Sequence, residues 1–200
     1  MPGAWPIGVL VSGSGTNLQA LIDQVHGREV RIVAVASNVA GARALRRARE
    51  AGIAAAVFPL EAYADRAGRD QAMAGWLAER GARLVVLAGY MHLLTPGFLE
   101  RFGGRVVNVH PSLLPAFPGR TPVEDALGAG VRETGVTVHL VDEGIDTGPV
   151  LLQERVAVGY DETPETLLPR LHAVEHRLLP EAVRALAVGQ WGVRGKDEGC

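Results

Sequence analysis

The feature that most constrains the fold of this chain is a regular alternation of short apolar runs with longer amphipathic segments. The apolar runs cover residues 7–11, 30–37, 55–58, 84–88 and 106–110, and the amphipathic segments cover 18–25, 42–51, 66–80 and 96–102. Buried strands of a parallel sheet read as continuous apolar runs, and each crossover between them needs a helix. The alternation therefore predicts an α/β fold with a doubly wound, mostly parallel sheet, helices on both faces and right-handed crossovers.

The last part of the chain breaks this alternation and predicts a mixed sheet. Residues 135–141 and 150–158 both read as strands, and we expect the second to run antiparallel to the first. A short apolar run at 190–193 is a candidate for a last edge strand. The sequence shows no linker, so we expect one domain over residues 1–193, followed by a loose tail at 194–200.

A long helix is predicted between the strand at 150–158 and the candidate edge strand at 190–193. Thr163 and Pro164 are a favourable helix start, and the apolar period continues to about Ala187. The face predicted to point inward consists of Leu167, Leu168, Leu171, Val174, Leu178 and Leu179. Pro180 lies inside the pattern, so we expect either a kink there or two separate helices.

Composition excludes several classes of protein. The formal net charge of −2, with no basic block, argues against a nucleic-acid-binding protein. The single cysteine is the last residue, and no Cys/His set has zinc-ligand spacing, so no metal is expected. No signal segment or membrane-length apolar run is present. We therefore expect a cytoplasmic protein, monomeric or homodimeric, that acts on small molecules and not on nucleic acid or membranes.

The first strand leads directly into a glycine-rich turn, Ser-Gly-Ser-Gly-Thr-Asn at residues 12–17, and then into a helix. Free N–H groups and the helix dipole favour an anion at such a place. Leu18 stands where a dinucleotide fingerprint needs its third glycine, and the Gly-Lys-Ser/Thr of a P-loop is missing. The only lysine is Lys196, so a phosphate held by the folded body must rely on N–H groups, hydroxyls or arginine. The residues alone leave a phosphate site and a simple tight turn both open.

Two polar side chains lie at the end of the strand at 106–110. Asn108 and His110 are two residues apart and point to the same side of the strand. A stiff loop follows at 111–118, with three prolines. Ligands of open α/β sheets bind outside the carboxyl ends of strands, so these side chains are well placed for chemistry. A structural histidine is the alternative.

A second polar cluster, at 142–149, follows the strand at 135–141 and contains Asp146. Together with Asn108 and His110, it supplies the parts of an acyl-transfer site without a covalent nucleophile. Asp146 could equally be a turn-forming residue in Gly-Ile-Asp-Thr-Gly. His139 could either face the site from its strand or be a satisfied core residue.

The segments NVHPSLLPAFPG and DEGIDTGPV resemble the formyltransferases that use 10-formyltetrahydrofolate, and the resemblance extends over roughly residues 7–192. It implies transfer of the formyl group to the amine of glycinamide ribonucleotide (GAR), a step of de novo purine biosynthesis. The implied reaction passes through a tetrahedral intermediate and forms no covalent enzyme intermediate. The alternative is hydrolysis of 10-formyltetrahydrofolate, which relatives with an additional N-terminal regulatory domain perform.

The resemblance also implies roles for individual residues. Asn108, His110 and Asp146 match the catalytic residues, with Asp146 either keeping His110 cationic or holding a water that moves the proton; His139 is a possible support. The ribonucleotide would contact Gly13, Gly15, Thr16, Asn17 and Glu175. The folate would contact Arg66, Met91, His92, Leu93, Leu94, Asn108, Val141 and Asp146.

Two positions depart from the family pattern. His92 stands where an arginine is expected, and the segment 120–122 reads Arg-Thr-Pro where a His-Thr-His-like segment is expected. The second departure leaves the contacts of that loop with substrate open. The remaining histidines, His26, His172 and His176, are predicted to be surface or packing residues.

Overall fold

A computed structural model describes residues 4–189, which form a seven-stranded sheet surrounded by helices. The strands are β1 Trp5–Val11, β2 Val30–Ser37, β3 Ala54–Val57, β4 Leu84–Leu87, β5 Val106–His110, β6 Glu133–Leu140 and β7 Val150–Ala157. The helices are α1 Thr16–Gln24, α2 Arg43–Glu50, α3 Arg66–Glu79, α4 Pro96–Phe102, α5 Pro122–Gly128 and α6 Pro164–Ala187, with a short 3₁₀ helix at Leu60–Ala62.

The sheet has the strand order β3-β2-β1-β4-β5-β6-β7. The first five strands along the chain pair in parallel, whereas β6 is antiparallel to both β5 and β7. The predicted mixed, mostly parallel sheet is therefore confirmed.

The core lies on both faces of the sheet, because the central strands are apolar on both sides. Ile7 and Val9 of β1 pack with α1, α2 and α6 on one face. Leu10 packs with α3 and α4 on the other face. This two-sided burial explains why the parallel strands read as continuous apolar runs.

Two helices differ from expectation. Helix α5 was not predicted; Thr121 is its N-cap residue, Pro122 opens it, and Glu124 and Asp125 supply the acidic first turn. Helix α6 is one continuous helix despite Pro169 and Pro180, so of the two alternatives predicted at Pro180, that of two separate helices is wrong. Buried side chains on both sides of Pro180, among them Leu178, Leu179, Ala182 and Val183, pack along the sheet and hold the helix together.

The predicted edge strand at 190–193 and the tail at 194–200 lie outside the described residues. The domain boundary at residue 193 stays a prediction. Among the helices of the described part, none is long and apolar enough to cross a membrane.

Candidate active site

Asn108, His110 and Asp146 converge, although the strand that precedes Asp146 runs antiparallel to β5. His110 pairs with Thr137, whereas Leu140 at the end of β6 pairs with Val107 near the start of β5. The connection from β6 to β7 therefore begins at the far end of β5 from His110, and it has to return toward His110 to bring Asp146 into the site. It places one carboxylate oxygen of Asp146 3.4 Å from Asn108 Nδ2 and the other 3.5 Å from His110 Nδ1.

Two imidazoles flank the Asp146 carboxylate. His139 lies opposite Asn108 in the β5–β6 register, and its Nε2 is 3.5 Å from Asp146 Oδ1 and 3.3 Å from Asn108 Nδ2. His139 is buried, and its ring lies beside these polar groups.

The second nitrogen of each ring is held by a backbone carbonyl. His110 Nε2 is 2.9 Å from the Phe117 oxygen, and His139 Nδ1 is 2.8 Å from the Leu140 oxygen. Carbonyl oxygens only accept, so these nitrogens carry the protons of the neutral rings. Each ring can gain its second proton only at the nitrogen that faces Asp146.

Asp146 is largely buried, and Gly119 N donates to its Oδ2 at 2.9 Å. Burial opposes ionisation of this carboxyl, but the hydrogen bonds from His139 and Gly119 N, with the nearby charge of His110, outweigh it and lower its pKa. Asp146 and Phe117 both have left-handed backbone, with φ of 55° and 53°. Such values are uncommon outside glycine, and they cluster at functional sites.

Side-chain hydrogen bonds from Thr137 and Gln153 fix the loop that carries Phe117. Thr137 Oγ1 donates to the Ser112 oxygen at 2.7 Å and accepts from Leu114 N at 3.1 Å. Gln153 Nε2 donates to the Leu114 oxygen at 2.9 Å. Neither Thr137 nor Gln153 was predicted from the sequence to take part in the site. Thr137 is two residues from His139, and that spacing could have placed it on the same face of the strand.

The glycine loop is oriented by α2. Ala44 N donates to the Gly13 oxygen at 3.1 Å, and Arg47 Nε donates to the Ser14 oxygen at 3.0 Å. In a trans peptide the N–H points away from the carbonyl of the same unit. The N–H groups of Ser14 and Gly15 therefore point away from α2, and both residues line a cavity of about 360 Å³.

This cavity connects the glycine loop with the strand of the polar residues. Val109 and Pro111, on either side of His110, line it together with His172 and Glu175 of α6. His172 is exposed, as predicted for a surface residue, but it borders the cavity. His26 Nδ1 accepts from Ile32 N at 3.0 Å, and His176 stacks on His172 with 6.2 Å between ring centroids.

Glu175 is buried and connects the cavity wall to the glycine loop. Asn17 Nδ2 donates to its Oε2 at 2.8 Å. Burial raises the pKa of Glu175, against the opposing effect of the Asn17 hydrogen bond. The lining of the cavity thus combines backbone N–H donors with a carboxyl group.

A second, more apolar region lies on the loop after β4. Met91 and Leu93 are 62% and 52% exposed, and Ile145 of the Asp146 loop is 50% exposed. Leu94 and Val141 are half-buried and pack on the same core cluster. Burial lowers the pKa of His92, and the positive charges of Arg69, Arg120 and Arg66 lower it further. Arg66 is therefore within electrostatic reach of this loop.

Comparison with known proteins identifies the class of this fold and site. A family model described as Formyl transferase matches residues 6–183. The phosphoribosylglycinamide formyltransferase of Haemophilus influenzae is 39% identical over 193 residues, covering 96% of this chain and 90% of the relative. The chain belongs to the formyl transferase family and is an enzyme of that class.

Solved structures point to one branch of the family. The crystal structure of glycinamide ribonucleotide transformylase 1 from Symbiobacterium toebii superposes with a TM-score of 0.91 at 46% identity, covering 94% of this chain and 90% of that one. The trifunctional purine biosynthetic protein adenosine-3 of Chironomus tentans is 42% identical over 196 residues, but the chain spans 14% of its length. The relatives of similar length are thus phosphoribosylglycinamide formyltransferases.

Proposed function

We propose that this enzyme transfers the formyl group of 10-formyltetrahydrofolate to the amine of GAR, giving formyl-GAR and tetrahydrofolate in de novo purine biosynthesis. One observation carries the proposal: an ionised Asp146 lies within 3.5 Å of both Asn108 and His110. This group is next to the cavity that begins at the glycine loop. The names of the relatives of similar length support the same substrate.

The glycine loop would hold the phosphate of the ribonucleotide. The N–H groups of Ser14 and Gly15 and the N-terminus of α1 at Thr16 and Asn17 are suited to a phosphate, because they combine free donors with the positive end of the helix dipole. Glu175, which also lines the cavity, would accept hydrogen bonds from the ribose hydroxyls.

The loop after β4 would hold the pterin of the folate. The N–H groups of His92, Leu93 and Leu94 have no acceptor among the described residues, and exposed Met91 and Leu93 supply the apolar contact that such a ring needs. The half-buried Val141 would form part of the wall. Arg66, exposed at the first position of α3, suits the anionic end of the folate.

The reaction requires donors for an oxyanion and a path for a proton. The GAR amine attacks the formyl carbon, a C–N bond forms, and the formyl oxygen becomes an oxyanion. Asn108 Nδ2 and the protonated Nδ1 of His110 would donate to it, while Asp146 stabilises the imidazolium. The amine proton leaves through Asp146 or a water that it holds, and N10 of the folate takes up a proton as its bond to the formyl carbon breaks.

The deciding experiment follows tetrahydrofolate formation by absorbance with and without GAR. We expect product only when GAR is present. Product formed at the same rate without GAR would select 10-formyltetrahydrofolate hydrolysis instead. No product under either condition would refute both activities.

A further inference from the structure

Ser12 belongs to the glycine loop, yet two of its hydrogen bonds connect it to the loop after β4. Its Oγ donates to Asn38 Oδ1 at 2.6 Å and accepts from Met91 N at 3.0 Å. Its own N–H donates to the Gly89 oxygen at 3.0 Å. We infer that Ser12 is a positioning residue for the folate loop, residues 89–95, and not a ligand of the phosphate. This inference rests on the proposed function.

The chemistry of a serine hydroxyl supports this division of roles. The hydroxyl has a single proton, and the carbonyl oxygen of the Asn38 side chain takes it. The Met91 N–H can only donate, so it needs the lone pair that remains. With its proton committed to Asn38, Ser12 has no donor left for a phosphate, although it lines the same cavity.

The other end of the folate loop is anchored independently. Thr95 N donates to Asp70 Oδ2 at 2.9 Å, and Arg69 donates to Asp70 Oδ1 through Nε at 3.0 Å and Nη2 at 2.7 Å. Both side chains of this pair are fully buried. The loop is therefore held at Met91 and at Thr95, and the segment between these anchors is the one whose N–H groups have no described acceptor.

Ser12 therefore connects the two substrate sites: it lies in the ribonucleotide loop but holds the folate loop. The N–H groups of His92, Leu93 and Leu94 can meet a pterin edge only if the loop is held at the correct place. Removing the Ser12 hydroxyl frees the Met91 end while Asp70 keeps the Thr95 end. A substitution in the ribonucleotide loop should therefore weaken folate binding, which a purely local role in phosphate binding would not do.

The test compares Ser12→Ala with Ser14→Ala, a neighbour in the same loop. Anaerobic titration calorimetry gives the Kd for tetrahydrofolate and the Kd for GAR separately. We expect Ser12→Ala to raise the Kd for tetrahydrofolate about 5-fold, the effect of losing one neutral hydrogen bond, and to change the Kd for GAR less than about 2-fold. Ser14→Ala, the control, should leave the Kd for tetrahydrofolate unchanged.

Two results would overturn the inference. One is a Ser12→Ala effect on GAR that equals or exceeds its effect on tetrahydrofolate, and the other is no effect on tetrahydrofolate. Failure of tetrahydrofolate to bind the unsubstituted protein would overturn the proposed function as well, whereas normal binding without a Ser12→Ala effect would overturn this inference alone.

Amide hydrogen exchange of the unsubstituted protein decides the matter if Ser12→Ala does not fold. We expect the Met91 amide to be protected in the free protein. The amides of His92, Leu93 and Leu94 should exchange fast and become protected on addition of tetrahydrofolate. A Met91 amide that exchanges as fast as these three would overturn the inference.

Discussion

Gly15 must be glycine for two separate reasons. Its φ of 73° lies in the left-handed region, and a Cβ at this position would come within 2.5 Å of the Ala44 Cβ and 2.7 Å of the Ala44 Cα. From sequence, the expected harm of a larger residue is that it blocks the phosphate. The structure gives a different reason, because the side chain would meet α2 and push the loop away from the helix that orients its peptides.

We therefore expect Gly15→Ala to raise the KM for GAR and to cost about 1–3 kcal/mol of unfolding free energy, from backbone strain and overpacking. Steady-state kinetics and urea unfolding measure the two effects. Gly13→Ala is the matched control for stability, because a Cβ there meets nothing within 4 Å. A Gly15→Ala protein with unchanged KM and stability would show that the close packing on α2 does not matter.

Glu175 links stability to pH at the scale of a single side chain. Its folded-state pKa is raised by burial, so the folded protein holds this proton more tightly than the unfolded chain does. The stability associated with the neutral form is present below the unfolded pKa and is lost as the pH rises through the folded pKa. Glu175→Gln keeps an acceptor for Asn17 and removes the titration.

At acidic pH, the difference in unfolding free energy between Glu175→Gln and the parent protein should not change with pH. The variant should become relatively more stable as the pH rises to neutral and above. Urea unfolding across this range measures the difference. A difference that does not change with pH would mean that Glu175 does not titrate in the folded protein as its burial requires.

At the scale of elements, α3 and the loop before α4 are joined by the buried Arg69–Asp70 pair. Asp70 also accepts from Thr95 N, the residue that precedes α4. The pair therefore fixes how two neighbouring helices and the folate loop meet. Sequence did not reveal it, because adjacent charged residues on a helix are usually solvated.

Asp70→Ala should cost about 3–5 kcal/mol, because it leaves the Arg69 guanidinium buried without its partner. Replacing both residues by apolar ones, as in Arg69→Met with Asp70→Leu, should cost less than Asp70→Ala alone. Glu133→Ala, which breaks an exposed ion pair with Arg155, is the control and should cost about 1 kcal/mol or less. Equal losses in Asp70→Ala and Glu133→Ala by urea unfolding would contradict this account.

Local patterns determined most elements, and long-range contacts determined the rest. β2 matches its predicted range of 30–37, because its apolar run is bounded clearly on both sides. Helix α5 was missed, since its start at Thr121-Pro122 fell in a segment that departs from the family pattern. Pro180 did not break α6, because packing outweighed the local preference of proline.

At the scale of the whole molecule, the site exists because β6 runs antiparallel to β5. The antiparallel β6 puts His139 opposite Asn108. The connection to β7 then returns Asp146 to the pair on β5. Sequence could identify Asn108, His110 and Asp146 as candidates, but no local pattern specifies the path of that connection. Nor could the sequence show that the carbonyl oxygens of Phe117 and Leu140 hold the rings of His110 and His139.

The central claim is that an ionised Asp146, shared by His110 and Asn108, drives formyl transfer. The most direct test is the kcat of Asp146→Asn at neutral pH with saturating 10-formyltetrahydrofolate and GAR, since this change removes the charge and nearly keeps the shape. We expect kcat to fall by about 10²-fold or more, the scale of losing a main source of electrostatic stabilisation. A kcat within about 3-fold of the parent enzyme would contradict the account, because every proposed role of His110 depends on that charge.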